Sequence, residues 1–149
     1  MCPEQDGTPA KVERFADGGD GTVIDTAKRL VWLRKDTWQM TGKWMNWVQV
    51  RDYAAELSRQ GFAGYRNWRM PTAVEAKSLY NKSETNKDHM GTEVPLYPVF
   101  EPGFGFLCWT SDVRNKIQAV RFGYRRGVIT YDDIYRVSRG SSRLVRDIE

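Results

Sequence analysis

Phe62-Ala63-Gly64-Tyr65-Arg66-Asn67-Trp68-Arg69-Met70-Pro71-Thr72-Ala73-Val74-Glu75 is the stretch that decides the fold. It reads as a glycine turn, a short aromatic strand, and then Pro71-Thr72 opening a helix. Thr72 is placed to cap that helix, and Glu75, three residues on, to reach back to the Thr72 amide, so that two orphan backbone donors are satisfied together. The helix should run from Ala73 to about Tyr80, with Ala73, Ala76, Leu79 and Tyr80 facing inward. Upstream, Asn46 caps a longer helix in which Trp47, Val50, Ala54 and Leu57 recur at three- and four-residue steps until Gly61 stops it.

Working outward, Val12 to Phe15, the Asp17-Gly18-Gly19-Asp20-Gly21 run and Thr22 to Asp25 predict a hairpin, with Leu30-Val31-Trp32-Leu33 as a buried third strand. Residues 35–46 break both periodicities and carry Trp38 and Trp44 beside Met40 and Met45; they predict a packed loop, and exposed aromatic-methionine surface there would mark a protein interface. Residues 81–105 are interrupted by Pro95, Pro98, Pro102, Gly103 and Gly105 and predict one long irregular excursion. After them, residues 106–110, 117–122, 127–131 and 143–146 predict short strands forming one small antiparallel sheet. Trp32, Trp68 and Trp109 fall on predicted strands and are assigned to the core. Residues 1–10 predict a flexible polar lead, and residues 11–149 a single domain.

The chain has 149 residues, 13% of them aromatic, with a net charge of +4. That length suits one domain with a sizeable core. The longest apolar runs, such as Leu30 to Leu33, are far too short to span a membrane. The start of the chain lacks the features of a secretory leader, which gives an expectation of cytoplasmic location, a processed lipoprotein beginning at Cys2 being the alternative. Two cysteines, Cys2 and Cys108, and a single histidine, His89, give neither a disulfide framework nor a zinc set. From Arg114 onward nine basic residues stand against four acidic ones, a surplus larger than the net charge of the whole chain. Any anionic partner is therefore expected at the C-terminal quarter.

In this order the segments resemble the Lcl C-terminal-like family, related to the C-type-lectin and formylglycine-generating-enzyme folds. The resemblance rests on Asp17 to Asp25, Leu30-Val31-Trp32, Gly64 to Thr72, Trp109-Thr110-Ser111-Asp112 and Arg143-Leu144-Val145-Arg146. It implies an α+β, C-type-lectin-like domain in which two helices pack on small twisted antiparallel sheets and long loops carry binding. Some relatives of this kind are secreted or surface proteins that bind sulfated polysaccharides, sometimes as trimers. Others of lectin-like fold display loops to protein ligands. Many secreted relatives carry cysteines in the first helix and the closing strand. Here those regions read Asp52-Tyr53-Ala54-Ala55 and Leu144-Val145-Arg146, which favours an intracellular role.

Candidate chemistry is sparse. Asp17, Asp20 and Asp25 among glycines invite a calcium reading, but the EF-hand spacing is absent and turn formation accounts for them better. Cys108 lies between Leu107 and Trp109, so it reads as a buried apolar residue, and no second core thiol exists for a formylglycine-generating-type copper oxidase. His89, Asp88 and Ser83 lie in a polar loop and read as surface decoration; Asp132 and Asp133 read as solvated turn residues. No catalytic residue, cofactor or metal is assigned. What remains is a basic and aromatic set, Arg114, Lys116, Arg121, Tyr124, Arg125, Arg126, Tyr131, Tyr135, Arg136 and Arg139. Strand alternation points Val120 and Phe122 inward and Arg121 outward, with Tyr124 to Gly127 as a hairpin tip. Such a surface is either a binding site or a plain solvated face. As a binding site, together with Trp38 and Trp44, it would serve a non-catalytic accessory or recognition subunit docking another protein. The alternative ligand is an anionic, sulfated glycan. A homo-oligomer is compatible with this reading; no nucleic-acid reader motif is present.

Overall fold

A computed structural model describes residues 13–148. The polar lead and Cys2 lie outside the described residues. The chain forms β1 (Phe15–Asp17), β2 (Thr22–Asp25), β3 (Leu30–Leu33), α1 (Thr37–Thr41), α2 (Trp47–Gln60), α3 (Ala73–Ser78), β4 (Asn86–Lys87), β5 (Glu93–Val94), β6 (Leu107–Arg114), β7 (Gln118–Gly123), β8 (Val128–Asp133) and β9 (Val145–Asp147). It is an α+β fold with three small antiparallel sheets, ordered β1-β2-β3-β9, β4-β5 and β6-β7-β8. No helix among the described residues is long and apolar enough to cross a membrane.

The junction at Thr72 forms as its sequence dictates. The Thr72 hydroxyl accepts from the Glu75 amide at 3.1 Å, and the Glu75 carboxylate accepts from the Thr72 amide at 2.9 Å. Asn46 and Gln49 make a second such box, and Gly61 closes α2 in the left-handed region at φ 70°. The expected glycine turn forms as a 3-10 turn, Phe62–Gly64, with Ala63 at φ 56°, but the aromatic strand expected between it and Thr72 does not form. Only Arg69 pairs there, in a single bridge to Val145. Positive φ angles at Ala63 and Gly64 turn the chain before a strand can extend.

Two apolar clusters make the core, and β3 divides them. Its alternation sends Leu30 and Trp32 into one, with Leu79, Leu96, Phe100, Phe104, Cys108 and Phe122. Val31 and Leu33 enter the other, with Val50, Ala54, Leu57, Trp68, Trp109 and Leu144. A strand buried on both faces has no polar side, which is why all four of its residues are apolar. Asp25 is wholly buried and accepts from Arg14 at 3.0 and 2.8 Å, from the Trp32 indole at 3.1 Å and from the Lys28 amide at 3.2 Å. Asp17 accepts from the Gly19 amide at 2.9 Å and Asp20 from the Thr22 hydroxyl, so these aspartates build the hairpin.

Four further expectations are corrected. The closing strand β9 leaves the C-terminal sheet and pairs with β3, Trp32 opposite Val145. The loop at 35–46 contains the helical turn α1, because Asp36 and Gln39 form a third capping box. Residues 81–105 hold the small β4–β5 hairpin and send Leu96, Phe100 and Phe104 into the core, so the excursion is packed. Arg121 alternates with Val120 and Phe122 as expected, but both faces of β7 are covered: the Arg121 guanidinium lies 4.8 Å from the centre of the Trp109 ring and bonds Asp132 at 2.8 Å.

Arg69 fastens the junction to the end of the chain, binding Glu75 at 2.8 and 2.9 Å and Asp147 at 2.9 and 3.2 Å. Burial opposes the charged form of Glu75, but Arg69 and the Thr72 amide outweigh it and hold the carboxyl below its usual range. A depressed carboxyl pKa contributes stability above the unfolded value, about 4.3, and loses it as pH falls through the folded value. Glu75→Gln keeps the capping box and should cost about 1 kcal/mol at pH 7 in urea unfolding. The deficit should shrink toward zero by about pH 2, where both variants are uncharged at this position.

Candidate docking surface

Residues 33–39 are held from beneath by two buried charges. The Arg143 guanidinium, 3% exposed, donates to the carbonyls of Leu33 and Arg34 at 3.1 and 2.6 Å and lies over Phe100 and Phe104. Asp36, also 3% exposed, accepts from the Gln39 amide at 2.9 Å and from the Gly105 amide at 2.7 Å. Burial pushes the Asp36 carboxyl above its usual range, with Arg143 the largest counterweight; burial also lowers the Arg143 pKa, with Asp36 opposing. Thr37 and Ser142 exchange two more bonds at 2.9 and 3.0 Å. Together these fix α1 to Gly105 and to the segment before β9.

On that base stands a row of π systems. Gly42, at φ 72°, reverses the chain after α1 and brings Trp44 onto Trp38, with centroids 4.0 Å apart and planes 6° from parallel. His89 meets the Trp44 ring edge-on at 4.9 Å and lies parallel to Phe106 at 6.0 Å. The Arg125 guanidinium covers Phe106 at 4.0 Å. Gly105 makes the row possible, since a Cβ there would lie 2.9 Å from the Trp44 ring and 2.5 Å from the Ser141 hydroxyl. All four rings are half-buried, and the exposed Met90 and Arg139, 3.9 Å apart, flank them.

This corrects the reading of Asp88 and His89 as solvated decoration. The Asp88 carboxylate has no exposed surface; it binds Arg125 at 2.8 Å and accepts from the Met90 and Thr92 amides at 2.9 and 3.0 Å. It is a fixed anchor for the turn carrying His89, whose Nδ1 is buried with no hydrogen-bond partner among the described residues. Met40 and Met45 turn inward against the second core, so Met90 takes the exposed place expected of them.

The structure brings Trp38, Trp44, Arg125 and Arg139 together, with Arg126 exposed on the adjoining hairpin tip. It separates the rest of the basic and aromatic set. Arg114 stacks on Tyr131 at 3.6 Å, and Arg136 binds Asp132 at 2.7 Å. These residues, with Lys116 in the β6–β7 turn, occupy the end of the sheet opposite the tip. Arg121 and Tyr124 are buried and structural; the Tyr124 hydroxyl donates to the Ala76 carbonyl at 2.7 Å. Asp132 is a half-buried partner of Arg121 and Arg136, not a solvated turn residue. Arg143 and Arg146 are buried as well, so the positive surface is smaller than the count of basic residues implied. Sequence reasoning missed His89 and Phe106 as members of the face. The available signal was Phe104-Gly105-Phe106, two aromatics on opposite sides of a residue without a side chain.

The Lcl C-terminal domain model matches residues 21–146, and the chain belongs to that family. No curated protein and no solved structure matches it.

Cys108 lies beneath the face, 3% exposed, its sulfur 3.7 Å from the Ser142 hydroxyl. Burial pushes its thiol pKa up, which opposes thiolate formation. In a Cys2→Ser background, alkylation of Cys108 at pH 8 should proceed no faster than global unfolding, measured by intact mass against urea-jump kinetics. Rapid labelling of the folded protein would contradict the burial.

Proposed function

We propose that this domain is a non-catalytic recognition module that docks an acidic segment of another protein on the Trp38–Trp44–His89–Phe106 face, as an accessory subunit. The observation that carries the reading is the half-buried aromatic row with cations at its margins. Stacked, immobilised rings offer large contact area at little entropic cost, the property that makes aromatic and arginine anchors dominate interfaces. Asp88 and Asp36, the carboxylates that hold the face in place, are buried and engaged, and Arg139 and Lys43 are exposed. Small sheets, packed helices and long loops that build the face are the support for a C-type-lectin-like assignment. Among the described residues no group of three His, Cys, Asp or Glu side chains is placed to hold a metal ion.

The experiment is paired binding to an acidic-peptide array and to a sulfated-oligosaccharide array, for the native protein, Trp44→Ala and Arg139→Glu. Peptide binding should weaken with salt and fall about tenfold or more in each variant, a loss of about 1.4 kcal/mol. Binding confined to the oligosaccharides would transfer the face to anionic glycans. Binding that neither substitution alters would remove the face from the function altogether.

A further inference from the structure

Most of the exposed large apolar side chains among the described residues belong to one sheet and the segment after it. Of ten exposed large apolar side chains among the described residues, seven lie on the β6-β7-β8 sheet, in its turns or in the segment that follows it. Val128, Ile129 and Tyr131 are each 45 or 46% exposed and fall on β8, with Thr130 exposed between them. Strand β8 pairs only with β7 among the described residues, so its outer backbone donors and acceptors form an open edge. Soluble proteins blunt such edges with lysine, proline, a bulge or a covering element. Here the irregularity lies in β6, between Trp109 and Val113, and residues 128–131 are β-branched or aromatic without a charge.

The ends of the strand carry opposite charge. Arg125 and Arg126 precede it, and Asp132 and Asp133 close it. Neither Arg126 nor Asp133 makes an ion pair among the described residues. A strand of this polarity complements its own reverse. In an antiparallel pair related by a two-fold axis normal to the sheet, opposed residues must face the same way, so the axis passes through a residue. With Ile129 on the axis, Val128 lies opposite Thr130, and Gly127, lacking a side chain, leaves room for the ring of Tyr131. The same register sets the arginine end of each copy beside the aspartate end of the other.

We propose that β8 pairs antiparallel with β8 of a second copy of this chain, centred on Ile129, making a two-fold dimer with one sheet continuous across both copies. The interface adjoins the aromatic face at its arginine end, where Phe106, Arg125, Arg126 and Val128 line one cleft. Sedimentation velocity over about 1–200 µM measures it. The native protein should sediment at twice the 17.3 kDa chain mass. Ile129→Lys should raise the dimer dissociation constant at least about tenfold with an unchanged circular-dichroism spectrum. Val74→Lys, at a position 77% exposed on α3, should leave the dimer intact. In a Cys2→Ser background, Ile129→Cys should form an interchain disulfide on mild oxidation and Val74→Cys should not. A monomer throughout the range, a dimer indifferent to Ile129→Lys, or a dimer that Ile129→Cys fails to cross-link would overturn the proposal.

Discussion

Asp36 and Arg143 are sealed under the surface, and the positions of α1, Gly105 and the entry to β9 all depend on them. They make no direct ion pair with each other; each is tolerated out of water because its hydrogen-bonding capacity is met by other groups. Here that capacity goes to backbone: Arg143 serves two carbonyls at the end of β3, and Asp36 serves the amides of Gln39 and Gly105. The segment bearing Trp38 and the one bearing Phe106 are thereby fixed relative to each other, although they are far apart in sequence. An apolar pair could fill the same volume but could not satisfy those backbone groups.

The same logic repeats around the domain. Asp25 binds Arg14 and the Trp32 indole beneath the first hairpin, and Arg69 joins the capping carboxylate of Glu75 to Asp147 at the end of β9. The Asp25 ties pin the first hairpin and the Arg69–Asp147 tie closes a long loop, so the two cores on either side of β3 are locked by a few directional contacts as well as by burial. Such a frame suits recognition. On the proposed reading the aromatic row would meet its partner already ordered, which is where rigid surfaces gain affinity.

The local signals in the sequence were reliable because their partners are neighbours. Thr72 and Glu75, Asn46 with Gly61, the apolar run at 30–33 and the aspartate-glycine hairpin formed as expected. The failures came from sequence-distant partners. Arg121 occupies an outward position by strand alternation, yet Trp109 and Asp132 cover it; period two identifies faces but not which faces are buried. Arg143 and Arg146 looked like surface charge because their partners, the Leu33 and Arg34 carbonyls and Asn67, lie on other elements. His89 looked solvated because Trp44 and Phe106 reach it from separate loops. Of the binding residues named from sequence, Trp38, Trp44, Arg125 and Arg139 meet on one face, while Arg114, Lys116, Tyr131 and Arg136 are grouped elsewhere.

The most direct test of the claim that two buried charges set the geometry of the aromatic face is the ring-proton NMR spectrum of Asp36→Asn. The substitution is isosteric and removes the charge together with one of the two oxygens that accept from the Gln39 and Gly105 amides. The expected result is loss of the ring-current shifts of Trp38, Trp44 and His89, while resonances of α2 and of β2–β3 keep their native positions. A folded variant in which those three rings retain their native shifts would contradict it.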